Sequence, residues 1–391
     1  MSFLRKLLLI LPFSILFIHC KDDPNKIDDD STTDTDTTEK VTSKPTSYYV
    51  HLTGTIKDIP ITMNLVRSHS IQTASSEPSL EYSGFYYYDK YMEPISISQL
   101  SIDSSDMIQL VEWSSDETTN QFMGDFDEGN NFVGEWQNGY RQYSLPVNLS
   151  ESYNEGNIKL DYFSWEDFQP ADPNKPTENG ISYELTTFWP SDDNLFLKAE
   201  ILKLINGETN QPSIKKPKDI FEFNKTGLLE DYDLMVEDFK ADSIPVPMFS
   251  YDNDMCVIWN EDSLLVLSYL YYSYEGGAHG NFGKDHVNLD LRSKSKLQLE
   301  DVFEDGFEEK IASALEKALR RKYDLRPSDD IREIVDVDKI PVTDNFYLTG
   351  GGIGFYYPPY ELGPWAAGDF DFFVRYEDIE ELLKPSFLDR F

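Results

Sequence analysis

Between Tyr48 and Leu149 the sequence runs through eight short segments of alternating apolar and polar residues, and nothing there repeats at helical spacing. The segments are Tyr48–Thr53, Ile61–Ser68, Leu80–Tyr88, Ile95–Ile102, Met107–Trp113, Gln121–Phe126, Asn131–Gln137 and Arg141–Leu149. They recur every ~10 to 15 residues, separated by Asp, Ser, Asn and Gly clusters that favour turns. Short consecutive strands with short connections pair as neighbours. The stretch 47–165 is therefore predicted to be an all-β domain, an antiparallel meander closed as a small barrel or folded as a sandwich. In Phe132-Val133-Gly134-Glu135-Trp136 the two rings and Gly134 share one face. A Gly between large rings lets a curved strand close tightly, and Gly84 before Phe85-Tyr86-Tyr87-Tyr88 has the same setting. Two readings of these aromatics stand: they fill the barrel core, or they line a ligand-binding mouth.

Residues 166–179 hold Pro170, Pro173 and Pro176 among Asn, Asp and Lys. Prolines at that spacing interrupt regular structure, so a linker is expected there. From 180 to 391 the pattern mixes periods. Ile181, Tyr183 and Leu185 start a strand that Trp189-Pro190 ends, and Leu195 to Ile205 suits a helix. Met255 to Tyr274 is strong strand material broken by the turn-like Asn260-Glu261-Asp262-Ser263, and His286 to Leu291 is a further strand. Phe307, Ile311, Ala314, Leu315, Ala318 and Leu319 repeat at three and four residues. Acids open that helix and Arg320-Arg321-Lys322 closes it, as the helix dipole prefers. Asn345–Thr349, Gly354–Tyr357 and Phe370–Tyr376 read as strands, and Glu377–Lys384 as a short helix stopped by Pro385. The region is an α+β domain by this reading.

The N-terminus carries an address. Arg5 and Lys6 precede the apolar run Leu7–Ile18, too short to span a bilayer but right for a signal peptide over 1–19. Leu16-Phe17-Ile18-His19-Cys20 resembles a bacterial lipobox, with His19 in place of the usual small residue. Cys20 is thus the expected lipid-bearing residue, and 20–46 an acidic tether without apolar spacing to fold on. Location on a bacterial envelope follows, at the outer membrane or cell surface. Seventy-one acids against 34 bases give a formal charge of −37, and residues 21–40 hold only eight of the acids. Most of the acidity therefore coats the folded part. Such a surface repels nucleic acid and attracts cations or basic proteins. Two cysteines exclude a disulfide scaffold.

Two segments carry more specific information. Tyr274-Glu275-Gly276-Gly277-Ala278-His279-Gly280 lies between two strands, and Tyr360-Glu361-Leu362-Gly363-Pro364-Trp365-Ala366-Ala367-Gly368 comes near the end. Between them stand Asn288-Leu289-Asp290-Leu291 and Leu297 to Phe303. In this order, over 180 to 385, they resemble the extracellular domain of the RsiV anti-sigma factor family. That domain of unknown function also accompanies PdaC-type peptidoglycan deacetylases. The resemblance implies an extracytoplasmic binding or sensor role, since the domain binds lysozyme in RsiV and is an accessory in the deacetylases. Lysozyme, another basic protein or peptidoglycan are the partners it suggests. No anti-sigma segment, transmembrane helix or deacetylase metal motif is read in this sequence, and no lysozyme-contacting residue can be matched. His279, Glu361 and Trp365 are the candidate binding residues.

No catalytic residue, metal site or cofactor is expected. His279 either hydrogen-bonds a carbonyl and fixes its Gly-rich turn, contacts a ligand, or serves hydrolase-like chemistry with Asp285, His286 or Glu361. Glu361 reads as a hydrogen-bonded anchor. A purely structural surface lipoprotein is the remaining alternative. Cys256 sits in an apolar strand and reads as a buried thiol. Gly350-Gly351-Gly352 is followed by strand residues, which favours a hairpin turn over a phosphate loop.

Overall fold

The computed structural model describes residues 47–390 except 71–78, 101–106, 113–118, 141, 176–178, 192, 208–213 and 243. The expected signal segment, Cys20 and the tether lie outside the described residues. Among those described, no helix is long and apolar enough to cross a membrane.

The eight predicted strands are present: β1 (Tyr48–Ile56), β2 (Ile59–Ser70), β3 (Ser79–Tyr88), β4 (Ile95–Gln99), β5 (Ile108–Glu112), β6 (Gln121–Phe126), β7 (Phe132–Gln137) and β8 (Ser144–Glu151). Each pairs antiparallel with the next, and β8 returns to β1 to close a barrel. Alternation sends Leu52, Ile61, Met63, Leu65, Phe122, Phe132 and Val147 into one core. Phe132 and Trp136 belong to that core, which decides for ring-filling over a ligand mouth at those positions. Between them Gly134 faces Gly124. A Cβ at Gly134 would sit 2.1 Å from the Met123 carbonyl oxygen, so only glycine permits this approach. Glu112, a buried carboxylate of the barrel, is satisfied. Tyr86 Oη donates to Glu112 Oε1 at 2.6 Å, Trp136 Nε1 to the same atom at 2.8 Å, and Asn120 to Oε2 at 2.7 Å.

A six-stranded sheet follows: β9 (Leu160–Pro170), β10 (Gly180–Pro190), β11 (Phe249–Glu261), β12 (Leu264–Tyr274), β13 (Asn281–Asp290) and β14 (Ser295–Lys296), in the order β14-β13-β12-β11-β10-β9. The expected linker at 166–179 is corrected here. Strand β9 runs through to Pro170 and pairs antiparallel with β10, Pro170 opposite Gly180. Pro170 is tolerated because it ends an edge strand, and Pro173 falls in the turn. β10 and β11 are parallel, and a parallel pair needs a crossover. Helices α1 (Leu195–Asn206) and α2 (Pro217–Ala241) provide it. The sequence reading finds α1 but passes over α2, whose only fully buried side chains are Ile220, Phe221, Tyr232 and Val236. Its start is well defined all the same. Pro217 occupies the first turn, and Asp219 Oδ2 accepts the backbone N–H groups of Lys215 and Lys216 at 2.9 Å. The β11–β12 turn is tighter than read, two residues only. Asp262 and Ser263 have φ of 54° and 61°, as a type I′ hairpin requires.

The last layer packs α3 (Leu299–Val302) and α4 (Glu308–Lys322) with β15 (Phe346–Leu348), β16 (Gly352–Tyr357) and β17 (Phe370–Arg375), and ends in α5 (Pro385–Leu388). Gly350 and Gly351 form the predicted hairpin turn between β15 and β16. The predicted helix over Glu377–Lys384 is corrected to two single 3-10 turns, Tyr376–Asp378 and Glu380–Leu382, and Pro385 opens α5 instead of stopping a helix.

Barrel and central sheet are joined by rings and by a polar network. Tyr87 of β3 stacks on Trp259 of β11 with centroids 4.7 Å apart, and its hydroxyl donates to Glu261 Oε2 at 2.8 Å. Beside them Tyr49 Oη donates to Asn64 Oδ1 at 2.7 Å and accepts Asn260 Nδ2 at 3.1 Å. His51 bridges Asn64 and Asn157, each at 2.8 Å. Burial holds the His51 pKa below its ordinary value, so it enters this network neutral.

Candidate functional site

The Gly-rich loop after β12 turns through Gly276 and Gly277, with φ of 85° and 101°, a backbone that side chains resist. This brings His279 onto the segment after β16. The His279 ring lies on Trp365, centroids 4.0 Å apart and planes 17° from parallel. His279 Nδ1 donates to the Gly280 carbonyl oxygen at 2.9 Å, and Trp365 Nε1 donates to the same oxygen at 3.1 Å. The Tyr360 hydroxyl stands 3.5 Å from His279 Nε2. Tyr360 is 63 % exposed. One carbonyl therefore fixes two flat side chains, and a third ring flanks them at the surface. The carbonyl-anchored reading of His279 holds, and Trp365 joins it in a rigid aromatic corner.

The other candidates lie elsewhere. Glu361 is exposed, and among the described contacts its carboxylate accepts no hydrogen bond, so the anchoring expected of it is not found. Partial burial raises its pKa. His286 turns away to Asn345, with Nδ1 and Oδ1 at 2.8 Å, and burial lowers its pKa to about 4. Asp285 stands on β13 opposite Tyr269. No hydrogen bond joins His279 to Asp285, His286 or Glu361 among the described residues, and no three metal-donor side chains converge there.

A second concentration of titratable groups is invisible in the linear sequence. Glu184 on β10 has its pKa pushed up to about 8, first by burial, then by Asp254, Asp252, Glu166 and Glu81 around it. A carboxyl that keeps its proton in the fold, and loses it when unfolded, favours the native state at low pH. That stability is lost as pH rises from the ordinary carboxylate range through about 8. His51 and His286, lowered in the fold, act oppositely but only below about pH 6.5. Between pH 6.5 and 8 the unfolding free energy is therefore expected to fall by about 2 kcal/mol. Urea titrations across that range should show the slope in the wild type and a nearly flat profile for Glu184→Gln. An unchanged slope in the variant would refute the assignment.

Comparison with known proteins divides the C-terminal region in two. Residues 183–282 match the family described as Deacetylase PdaC, and 300–377 the family described as a protein of unknown function, DUF3298. His279 falls in the first match, and Tyr360 and Trp365 in the second, so the aromatic corner is built where the two meet. A crystal structure of a DUF3298 family member from Bacteroides fragilis is similar at a TM-score of 0.50 and 25% identity, over 57% of this chain and 94% of that one. A DUF3298 family protein from Pseudomonas aeruginosa gives a TM-score of 0.45 at 20% identity, over 59% and 96%. No curated protein matches the chain. Behind an eight-stranded barrel, this chain thus carries a region that matches the PdaC family followed by one that matches the DUF3298 family.

Proposed function

We propose that this chain is a non-enzymatic binding protein of the bacterial cell envelope, lipid-anchored through Cys20, whose His279–Trp365–Tyr360 corner receives a basic protein of lysozyme type. The aromatic corner carries this reading. Binding energy at protein interfaces concentrates in Trp and Tyr side chains held in place before the partner arrives. Here hydrogen bonds to one carbonyl pre-set both His279 and Trp365. The surplus of acids supports a cationic partner, whose approach such a surface accelerates. Flat rings also suit the faces of sugars, so cell-wall glycan is the second reading.

Calorimetric titration with lysozyme and, separately, with soluble peptidoglycan fragments tests both. Lysozyme is expected to bind, more weakly as salt is raised. Trp365→Ala and the exposed Tyr360→Ala should each weaken it by about tenfold or more, equivalent to ~1.4 kcal/mol. Binding of fragments but not lysozyme, lost in the same variants, would select the glycan. Absence of both, or full affinity in both variants, would remove the proposal. Palmitate labelling of the exported protein, abolished by Cys20→Ser, tests the anchor.

A further inference from the structure

A cavity of about 670 Å³, lined by none of the aromatic-corner residues, lies where the barrel, the central sheet, α4 and β17 meet. Its volume is in the range of small-molecule sites. Phe85, Ile97, Leu270 and Phe372 give it an apolar wall. Six charged side chains line it, and three are already committed to an opposite charge or a hydroxyl. Lys284 pairs with Asp369 at 3.3 Å, and Glu93 with Arg375 at 3.4 Å. Asp371 accepts the Tyr347 hydroxyl at 3.0 and 3.1 Å.

Three remain. Asp254 has only the Thr186 hydroxyl, at 3.3 Å, and no basic side chain pairs with it among the described residues. Burial raises its pKa to about 6, the mark of a carboxylate short of solvation. Arg321 and Lys322, at the end of α4, donate to the carbonyl oxygens of Phe373 and Asp371 at 3.1 and 2.9 Å. Those bonds use donors, and the Asp371 carboxylate is close enough to Lys322 to offset part of its charge. The nearest carboxylate pairing of Arg321 is with Asp378 at 4.0 Å, and Lys322 makes no ion pair among the described residues. The cavity thus holds an enclosed negative group and a more exposed positive pair around an apolar wall.

We propose that this cavity binds a small zwitterion of amino-acid or short-peptide chemistry, its ammonium on Asp254 and its carboxylate on Arg321 and Lys322. An ammonium supplies the counter-charge that Asp254 lacks, and a carboxylate takes the guanidinium fork in the geometry that suits it. The inference shares no residue with the aromatic corner, so each can fail without the other.

Equilibrium dialysis of the mature chain against an equimolar mixture of dipeptides, read by mass spectrometry, is the test. At least one dipeptide should be enriched on the protein side. In calorimetry, acetylating its amine or amidating its carboxylate should each weaken binding by about tenfold. Asp254→Asn should bind the free and acetylated forms alike, and the double variant Arg321→Ala, Lys322→Ala the free and amidated forms alike. Both altered cations are exposed, so that variant keeps its fold even where Asp254→Asn does not. No enrichment of any dipeptide overturns the proposal, as does binding indifferent to blocked ends or to the double variant.

Discussion

Trp259→Ala should lower the unfolding free energy by about 3–5 kcal/mol, the usual loss for a large ring removed from a closed core. Trp259 is 1 % exposed, and three parts of the molecule close on it. Tyr87 of the barrel covers one face, and a Cβ placed on Gly350 of the third layer would come within 3.0 Å of the indole. Beyond the loss in magnitude, the transition should change shape. With the shared ring gone, barrel and α+β region have less reason to unfold together, and one denaturant transition should broaden or split. Trp259→Phe separates packing from hydrogen bonding. Among the described residues the buried indole Nε1 has no partner, so the smaller ring loses volume but removes an unsatisfied donor. Its cost should stay below about 2 kcal/mol. Equal losses for Ala and Phe would show that Trp259 is not the joint argued here.

Arg390→Ala should cost about 3 kcal/mol by leaving Asp290 buried without its counter-charge. The guanidinium reaches Asp290 Oδ2 at 2.5 Å, and the two side chains are 12 % and 8 % exposed. Burial alone would raise the Asp290 pKa. Hydrogen bonds from Arg390, the Ser293 hydroxyl and the N–H groups of Arg292 and Ser293 outweigh it and hold the carboxyl well below the usual range. A depressed carboxyl contributes stability that is full above the ordinary Asp pKa and lost as pH falls through the native one. Arg390→Ala should therefore shrink the gap in stability between neutral and strongly acid solution. The double variant Asp290→Asn, Arg390→Leu should be milder than Arg390→Ala, because an apolar pair strands no charge. If the double variant were the worse of the two in urea unfolding, the bridge would be contributing directly.

These two positions also mark how far the sequence can be read. Barrel strands were legible because alternation and turn residues are local, and Gln121–Phe126 is read to the residue. Helix α2 was not, because an acid-rich helix resting on four buried side chains leaves a thin apolar stripe. Pro170 misled for a related reason. Its penalty depends on whether its strand is an edge, a property of the sheet rather than of the chain. In the aromatic corner the His279 carbonyl bond was readable from the glycines around it. Its stacking on Trp365 was not, since 86 residues of sequence separate the rings. The cavity was hidden altogether, because its charged residues come from the β3–β4 connection, β11, β13, α4 and β17.

The capping of strand ends by side chains has a bearing on crowding at a surface. A sheet edge is a template on which a neighbouring molecule can add a strand, and this chain offers few. The barrel has no edge at all. At the outer side of β15, Asn288 imitates a missing strand, its amide donating to the Phe346 carbonyl and its own oxygen accepting Leu348 N–H, each at 2.8 Å. Arg321 and Lys322 occupy carbonyls of β17 in the same way. The central sheet ends on one side in a two-residue strand bearing Lys296, and on the other in β9 with Asp161, Glu166, Asp167 and a terminal proline. Molecules packed side by side would thus meet charge and occupied carbonyls where aggregation by strand exchange would have to begin.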